Sequence, residues 1–143
     1  MASKSKKTNT QPISTGVTYL PTKDFPYLER YKAQFSINED EVAFPYKGVI
    51  YTNLKELPEE LINHERVHFI QQEEIGADVW VERYLTDPNF RAKVEIEAYL
   101  IQIKPFKNNK DLYDMMRTQV AKMLSSPMYG CVLTYKEAYG LLR

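Results

Sequence analysis

Two histidines and a glutamate in one short segment have the residue types and the spacing of a metal site. The segment reads His64-Glu65-x-x-His68, and these two are the only histidines among the 143 residues. On an α-helix, residues four apart lie one turn apart on the same face, so both imidazoles can reach one ion. The carboxylate of Glu65 can then reach a water bound to that ion and act as a general base. The segment therefore predicts two metal ligands and one base on a single helix.

The helix that carries this segment is predicted to turn its histidines inward. Pro58 suits the first helical position, and the acidic residues that follow it suit the positive end of the helix dipole. At 100° per residue, both histidines share one stripe with Leu57 and Leu61, and most charged side chains lie opposite. Buried imidazoles are costly unless they are hydrogen-bonded or bind a metal. Hydrogen-bonded core histidines are the alternative, and metal ligation is the favoured interpretation.

A zinc site of the catalytic type needs a third protein ligand, which no further histidine can supply. The best candidates are Glu95 and Glu97, on a helix predicted over residues 88–104. They project in opposite directions between two apolar sides of that helix. Each has a cation four residues before it, Arg91 and Lys93 respectively, so a solvated ion pair is the alternative for either. Periodicity alone does not choose between the two glutamates.

The remaining pattern predicts an α+β fold that is mostly helical. Residues 1–16 have too few large apolar side chains to offset the entropy of ordering and predict a disordered tail, which leaves residues 17–143 as a single domain. Two runs rich in β-branched and aromatic residues, 42–44 and 48–52, predict strands. The run 48–52 is interpreted either as an edge strand, to which an extended peptide could add by backbone hydrogen bonds, or as an ordinary core strand. Helices are predicted over 27–35, 58–75, 77–85, 88–104, 110–124 and 135–142, with Trp80 and Tyr84 on a packed face of the third.

Composition and charge argue against several functional classes. The 19 basic residues equal the 19 acidic ones, so the sequence offers no broad electrostatic attraction to nucleic acid or to an anionic membrane. No apolar run approaches the length of a membrane span, and no secretory signal is recognisable. Cys131 is the single cysteine and cannot form an internal disulfide, so a reduced cytoplasm is the expected compartment. The expected partner is a peptide or protein substrate, or a protein assembly partner, rather than nucleic acid or membrane.

The motif and the downstream helix together resemble the gluzincin metallopeptidases. The resemblance rests on His64-Glu65-x-x-His68 followed by Glu95-x-x-Ala98. It implies a minimal zincin-like core, in which the motif helix and the glutamate-bearing helix pack together beside a small β-sheet or hairpin. It also implies one zinc ion per chain, held by His64, His68 and Glu95, and leaves Glu97 as the alternative third ligand.

One departure from that family concerns the support of the histidine ligands. Tyr99 stands where the family usually has an aspartate that orients a histidine. The support is therefore expected from Gln72, from Tyr99 or from a backbone carbonyl. The wider stretch 48–99, with Met128-Tyr129-Gly130 further on, also resembles small uncharacterised His-Glu-x-x-His proteins of bacteria and tailed phages. That resemblance implies a phage or bacterial origin, and a virion-associated location if the protein is phage-encoded.

Three hypotheses about function follow from these patterns. The first is a gluzincin-like zinc metallopeptidase that hydrolyses peptide bonds with a zinc-activated water and Glu65 as general base. Its oxyanion donor would be Tyr129, Tyr135 or Arg66. The second is a non-catalytic, zinc-stabilised structural or assembly protein, such as a phage virion component. The third is a metal-free interaction module in which the motif is accidental.

Overall fold

The computed structural model describes residues 1–3, 10–12 and 16–143. Of the tail predicted over residues 1–16, residues 4–9 and 13–15 lie outside the described part, whereas Ala2–Ser3 and Thr10–Pro12 form strands. The strands are β1 (Ala2–Ser3), β2 (Thr10–Pro12), β3 (Thr18–Leu20), β4 (Val42–Tyr46), β5 (Val49–Thr52) and β6 (Glu56–Pro58). The helices are α1 (Leu28–Gln34), α2 (Glu59–Ile75), α3 (Ala77–Thr86), α4 (Pro88–Ile103), α5 (Lys110–Leu124) and α6 (Tyr135–Leu141).

The larger sheet has the strand order β1-β4-β5-β3, and β2 pairs with β6 in a separate ribbon. β1 and β5 run antiparallel to β4, whereas β3 runs parallel to β5. The two central strands are joined by a two-residue turn, Lys47 and Gly48, with φ of 50° and 78°. Positive φ at both positions is what the tightest hairpin turns require. Because β3 covers its outer side, β5 is a core strand, and its interpretation as an edge strand is wrong.

The predicted helices are all present, with nearly the predicted ends. Asp87 caps α4 as its residue type suggests, since its carboxylate accepts hydrogen bonds from the backbone N–H groups of Asn89 and Phe90. Pro58 precedes α2 instead of starting it, with a ψ of 146° that is extended and not helical. This shift of one residue leaves the motif in the interior of the helix.

Helices α2 and α4 pack side by side, and α3 contacts both of them. Gly76 joins α2 to α3 with a φ of 93°, a conformation that other residues adopt only with strain. The core between these helices is aromatic, with Trp80, Tyr84, Tyr99 and Tyr129 fully buried. The prediction of a mostly helical α+β fold, with the motif helix packed against the glutamate-bearing helix, is confirmed. No helix in the described part combines the length and the apolar character needed to cross a membrane.

A carboxylate on the surface fastens the start of α3 to the hairpin. Asp78 Oδ1 accepts hydrogen bonds from the hydroxyls of Tyr27, at 2.8 Å, and Tyr46, at 2.6 Å. Lys47 Nζ lies 3.7 Å from Asp78 Oδ2. The hydrogen bond to Asp78 raises the pKa of Tyr27 to about 12. Burial, and then the same carboxylate, raise the pKa of Tyr46 to about 12.

We expect the substitution Asp78→Asn to make these two tyrosines ionise at lower pH. Their pKa lies above the ordinary value of 10.0, so their contribution to stability is complete below pH 10.0 and is lost as the pH rises through about 12. The tyrosine hydrogen bonds also lower the pKa of Asp78, so its own contribution is lost only in acid, below its ordinary value of 3.8. An ultraviolet titration of tyrosinate checks the alkaline part, and identical curves for wild type and variant would contradict it.

Candidate metal centre

Two histidines of α2 and one glutamate of α4 converge on a single point in the core. His64 Nε2 lies 3.1 Å from His68 Nε2 and 3.1 Å from Glu95 Oε1, and His68 Nε2 lies 2.8 Å from Glu95 Oε1. All three side chains are fully buried. In a tetrahedral zinc site with bonds of about 2.0–2.1 Å, neighbouring ligand atoms lie about 3.3–3.4 Å apart. The three atoms thus have nearly the spacing of metal ligands, and the group could hold a metal ion.

A glutamine three residues after His68 determines which nitrogen of that imidazole is free. Gln71 Oε1 accepts a hydrogen bond from Trp80 Nε1 at 3.2 Å, and Gln71 Nε2 donates to the carbonyl oxygen of Val94 at 3.2 Å. With the amide oriented in this way, the 2.8 Å contact between His68 Nδ1 and Gln71 Oε1 must be donated by the imidazole. A neutral His68 then carries its lone pair on Nε2, as a metal ligand requires.

Burial and nearby charge favour neutral imidazoles beside an ionised carboxylate. Burial lowers the pKa of His64, and burial together with the Met1 α-amino group lowers the pKa of His68. Burial acts to raise the pKa of Glu95, but the positive charge of the Met1 α-amino group holds it well below the usual value. Three electron-pair donors therefore face one another in the core, an arrangement that a bound cation stabilises.

Glu95 is held by contacts on both of its carboxylate oxygens. Oε1 faces the two imidazoles, whereas Oε2 accepts a hydrogen bond from the Tyr84 hydroxyl and lies 3.4 Å from the Met1 amino nitrogen. Burial raises the pKa of Tyr84 well above its usual value, so the hydroxyl stays protonated and remains a donor. Because Oε2 is engaged in these contacts, Oε1 alone is left to bind a metal, as a monodentate ligand.

Glu65 places a second buried carboxylate beside these ligands. Its Oε1 lies 3.8 Å from His64 Nε2 and 3.7 Å from the Met1 amino nitrogen. Neither oxygen has a hydrogen-bond partner among the described residues, and burial raises the pKa of the carboxyl group. A perturbed carboxylate next to potential metal ligands has the position and the proton affinity of a general base.

The structure brings Glu95 to the histidines, whereas Glu97 is exposed on another side of α4. Gln72 faces the hairpin: its amide donates to the carbonyl oxygen of Pro45 at 2.9 Å and accepts from the Lys47 N–H at 3.1 Å. Tyr99 lies beside His64, with ring centroids 4.3 Å apart and an interplanar angle of 70°. Of the two side chains expected to support the histidines, Tyr99 thus contacts one through its ring, and Gln72 bonds elsewhere.

The candidate oxyanion donors lie in different environments. Tyr129 is buried, with its hydroxyl 2.6 Å from the Tyr99 hydroxyl and donating to the carbonyl oxygen of Met1. Tyr135 is 41% exposed at the start of α6. Arg66 is exposed on α2. Among these three, only Tyr129 belongs to the hydrogen-bonded core around the site.

Three polar contacts of the site come from residues that the sequence did not identify as functional. Gln71 accepts a hydrogen bond from His68, the Tyr84 hydroxyl donates to Glu95, and Trp80 Nε1 donates to Gln71. The spacing of Trp80 and Tyr84 predicts a packed face, and their rings do stack, with centroids 4.9 Å apart. The sequence signal that could have identified Trp80 and Tyr84 is chemical. A buried indole N–H or phenol hydroxyl needs a hydrogen-bond partner, and both residues lie on the helix that follows the motif.

The chain matches no known protein family, no curated protein and no solved structure. The site is therefore defined by its own residues, a buried His64, His68 and Glu95 group consistent with His-Glu-x-x-His and a downstream glutamate.

Proposed function

We propose that the protein is a zinc-dependent hydrolase of peptide bonds in which Glu65 is the general base. The observation that carries this proposal is the position of Glu65, fully buried beside the three candidate ligands, with the Met1 amino nitrogen 3.7 Å from Oε1 and neither oxygen hydrogen-bonded among the described residues. A buried carboxylate without a hydrogen-bond donor is costly to a fold. Proton transfer next to a metal is a role that a carboxylate in this position can fill.

Zinc is the ion that we propose for this donor set. Two imidazole nitrogens and one carboxylate oxygen are a recurrent set of ligands in catalytic zinc sites, which keep a fourth position for water or substrate. When bound, zinc would supply Lewis-acid activation of that water and of the scissile carbonyl. Glu65 would take the proton that the water gives up and return it to the leaving amine. Burial raises the pKa of Glu65, which suits a group that must both accept and release a proton.

Tyr129 is the residue that we assign to the developing charge on the substrate carbonyl oxygen. Its hydroxyl donates its single proton to the backbone carbonyl of Met1, so the substrate carbonyl would take the place of that acceptor. Burial raises the pKa of Tyr129 well above its usual value, so the hydroxyl keeps its proton. Tyr99 connects Tyr129 to the site, because the Tyr99 hydroxyl is hydrogen-bonded to the Tyr129 hydroxyl and the Tyr99 ring packs on His64.

A second candidate function is a non-catalytic, zinc-stabilised structural or assembly protein. It is favoured by the complete burial of His64, His68 and Glu95. The surface depression next to the site, of about 340 Å³, reaches Gln71, Trp80 and Val94, but not the ligands themselves. In this alternative the ion would tie α2 to α4, and Glu65 would transfer no proton.

One experiment separates the two functions. The protein, purified without chelator or histidine tag, is loaded with zinc and tested on an unfolded, fluorescently labelled protein. We expect hydrolysis that a chelator reduces about 100-fold or more and that added zinc restores. A melting temperature raised by zinc without any hydrolysis would support the structural alternative. Neither zinc binding nor hydrolysis would contradict both.

A further inference from the structure

We propose that Gln71 is the positioning residue of His68 and that Trp80 in turn positions Gln71. The inference deepens the proposed function and rests on its metal site, but not on the hydrolysis. Gln71 Oε1 accepts two hydrogen bonds, one from His68 Nδ1 at 2.8 Å and one from Trp80 Nε1 at 3.2 Å. Because an indole nitrogen can only donate, a flipped amide would place its NH₂ group against another donor. Trp80 therefore selects the amide orientation that makes Nδ1 of His68 the protonated nitrogen.

The same glutamine also ties the two ligand-bearing helices together. Gln71 Nε2 donates to the carbonyl oxygen of Val94 at 3.2 Å, and Val94 directly precedes Glu95 in α4. One side chain thus holds the ring of His68 and the backbone next to the third ligand. Its position sets both the direction of the Nε2 lone pair and the separation between the helices at the level of the site.

The two histidines are held in different ways. His64 Nδ1 is buried without a hydrogen-bond partner among the described residues, and its ring is held by packing against Tyr99. His68 has the hydrogen bond from Nδ1 that metal-binding histidines usually make. Loss of the Gln71 amide therefore removes the one oriented hydrogen bond that a ligand imidazole makes through Nδ1 in the described part of the chain.

The neighbouring glutamine offers a matched control. Gln72 follows Gln71 on the same helix and makes two hydrogen bonds, against three for Gln71, and both go to the hairpin, to Pro45 and Lys47. Gln71→Leu and Gln72→Leu each remove one amide from α2. Only the first removes an acceptor from a ligand imidazole.

The test is the zinc affinity of the whole protein, measured by competition with a chromophoric chelator. We expect Gln71→Leu to bind zinc about 10- to 100-fold more weakly than wild type, the usual loss when such a support is removed. Trp80→Phe, which keeps a ring but loses the N–H, should weaken binding about 10-fold. Gln71→Glu keeps an acceptor for both N–H groups but loses the donor to Val94, so it should bind zinc more tightly than Gln71→Leu. Gln72→Leu should stay within about threefold of wild type.

Cobalt(II) absorption gives a second readout, because its visible spectrum reports the ligand geometry directly. Circular dichroism verifies that each variant is folded. Unchanged zinc affinity in Gln71→Leu would overturn the positioning role while leaving the metal site standing. An equal loss in both leucine variants would also overturn it, since the effect would then be one of general stability. Failure of the wild type to bind zinc would overturn the site itself, and none of these outcomes depends on hydrolysis.

Discussion

We expect the replacement of Glu95 by alanine to abolish the proposed zinc binding and the replacement of Glu97 by alanine to preserve it. Glu95 Oε1 lies within 3.1 Å of both imidazoles, whereas Glu97 is exposed on another side of the same helix. Without Glu95, two neutral imidazoles remain, a set that falls one ligand short of a catalytic zinc site. We expect about one zinc per chain in wild type and in Glu97→Ala, and less than about a tenth of that in Glu95→Ala after dialysis.

The loss of the ion will also lower the melting temperature. A ligand present at about 1,000 times its dissociation constant stabilises the folded state by about 4 kcal/mol, which corresponds to about 10 °C or more for a chain of this length. Glu95→Gln separates metal loss from a packing defect, because its amide oxygen can still accept the hydrogen bond from Tyr84. Elemental analysis and thermal unfolding check these outcomes. Zinc retained in Glu95→Ala, or lost equally in Glu97→Ala, would refute the assignment of the third ligand.

The helices and the two histidine positions could be predicted because local rules determine them. Helix periodicity places His64 and His68 on one face, and Asp87 marks the start of the helix that carries Glu95. The choice between Glu95 and Glu97 could not be made from periodicity, since both lie between apolar sides of α4. It is made by the packing of α2 against α4, which buries Glu95 and exposes Glu97.

The sheet was less predictable because its pairing joins segments distant in sequence. The outer strand Thr18–Leu20 pairs in parallel with β5, some thirty residues later, and covers an edge that the local pattern left open. β1 pairs only with the start of β4, whereas β4 continues through Pro45. A proline is tolerated at this position because no strand in the described part of the chain lies on the side that its missing N–H would face. The residues near each strand in a single sequence do not indicate which distant strand it pairs with.

The contacts around the ligands were also beyond local reasoning. Gln71 and Gln72 are adjacent and chemically identical, and only Gln72 was among the expected supports of a histidine, together with Tyr99 or a backbone carbonyl. Their roles separate because successive helical residues point about 100° apart, one toward Trp80 and the other toward the hairpin. Which direction meets the imidazole depends on where α3 lies, and that is a property of the tertiary structure.

In the proposed hydrolase, we expect the replacement of Glu65 by glutamine to abolish hydrolysis and to leave zinc binding unchanged. Glu65 Oε1 lies 3.8 Å from His64 Nε2, near the ligands without being part of the His64, His68 and Glu95 group. Glutamine has nearly the same shape but cannot take a proton, so the general-base contribution is lost. That contribution is about 100- to 10,000-fold in rate, and we expect kcat to fall by at least this factor with little change in KM.

The same substitution is not expected to destabilise the protein. Burial raises the pKa of Glu65, which means that the ionised form is the one the core disfavours, and a neutral amide removes that penalty. The melting temperature of the zinc-loaded variant should equal or exceed that of wild type. Glu73→Gln is the matched control, because Glu73 is exposed on the same helix and its loss should change neither rate nor zinc content. Undiminished hydrolysis in Glu65→Gln would refute the role of general base, whereas a loss of zinc together with activity would make Glu65 a determinant of metal binding instead.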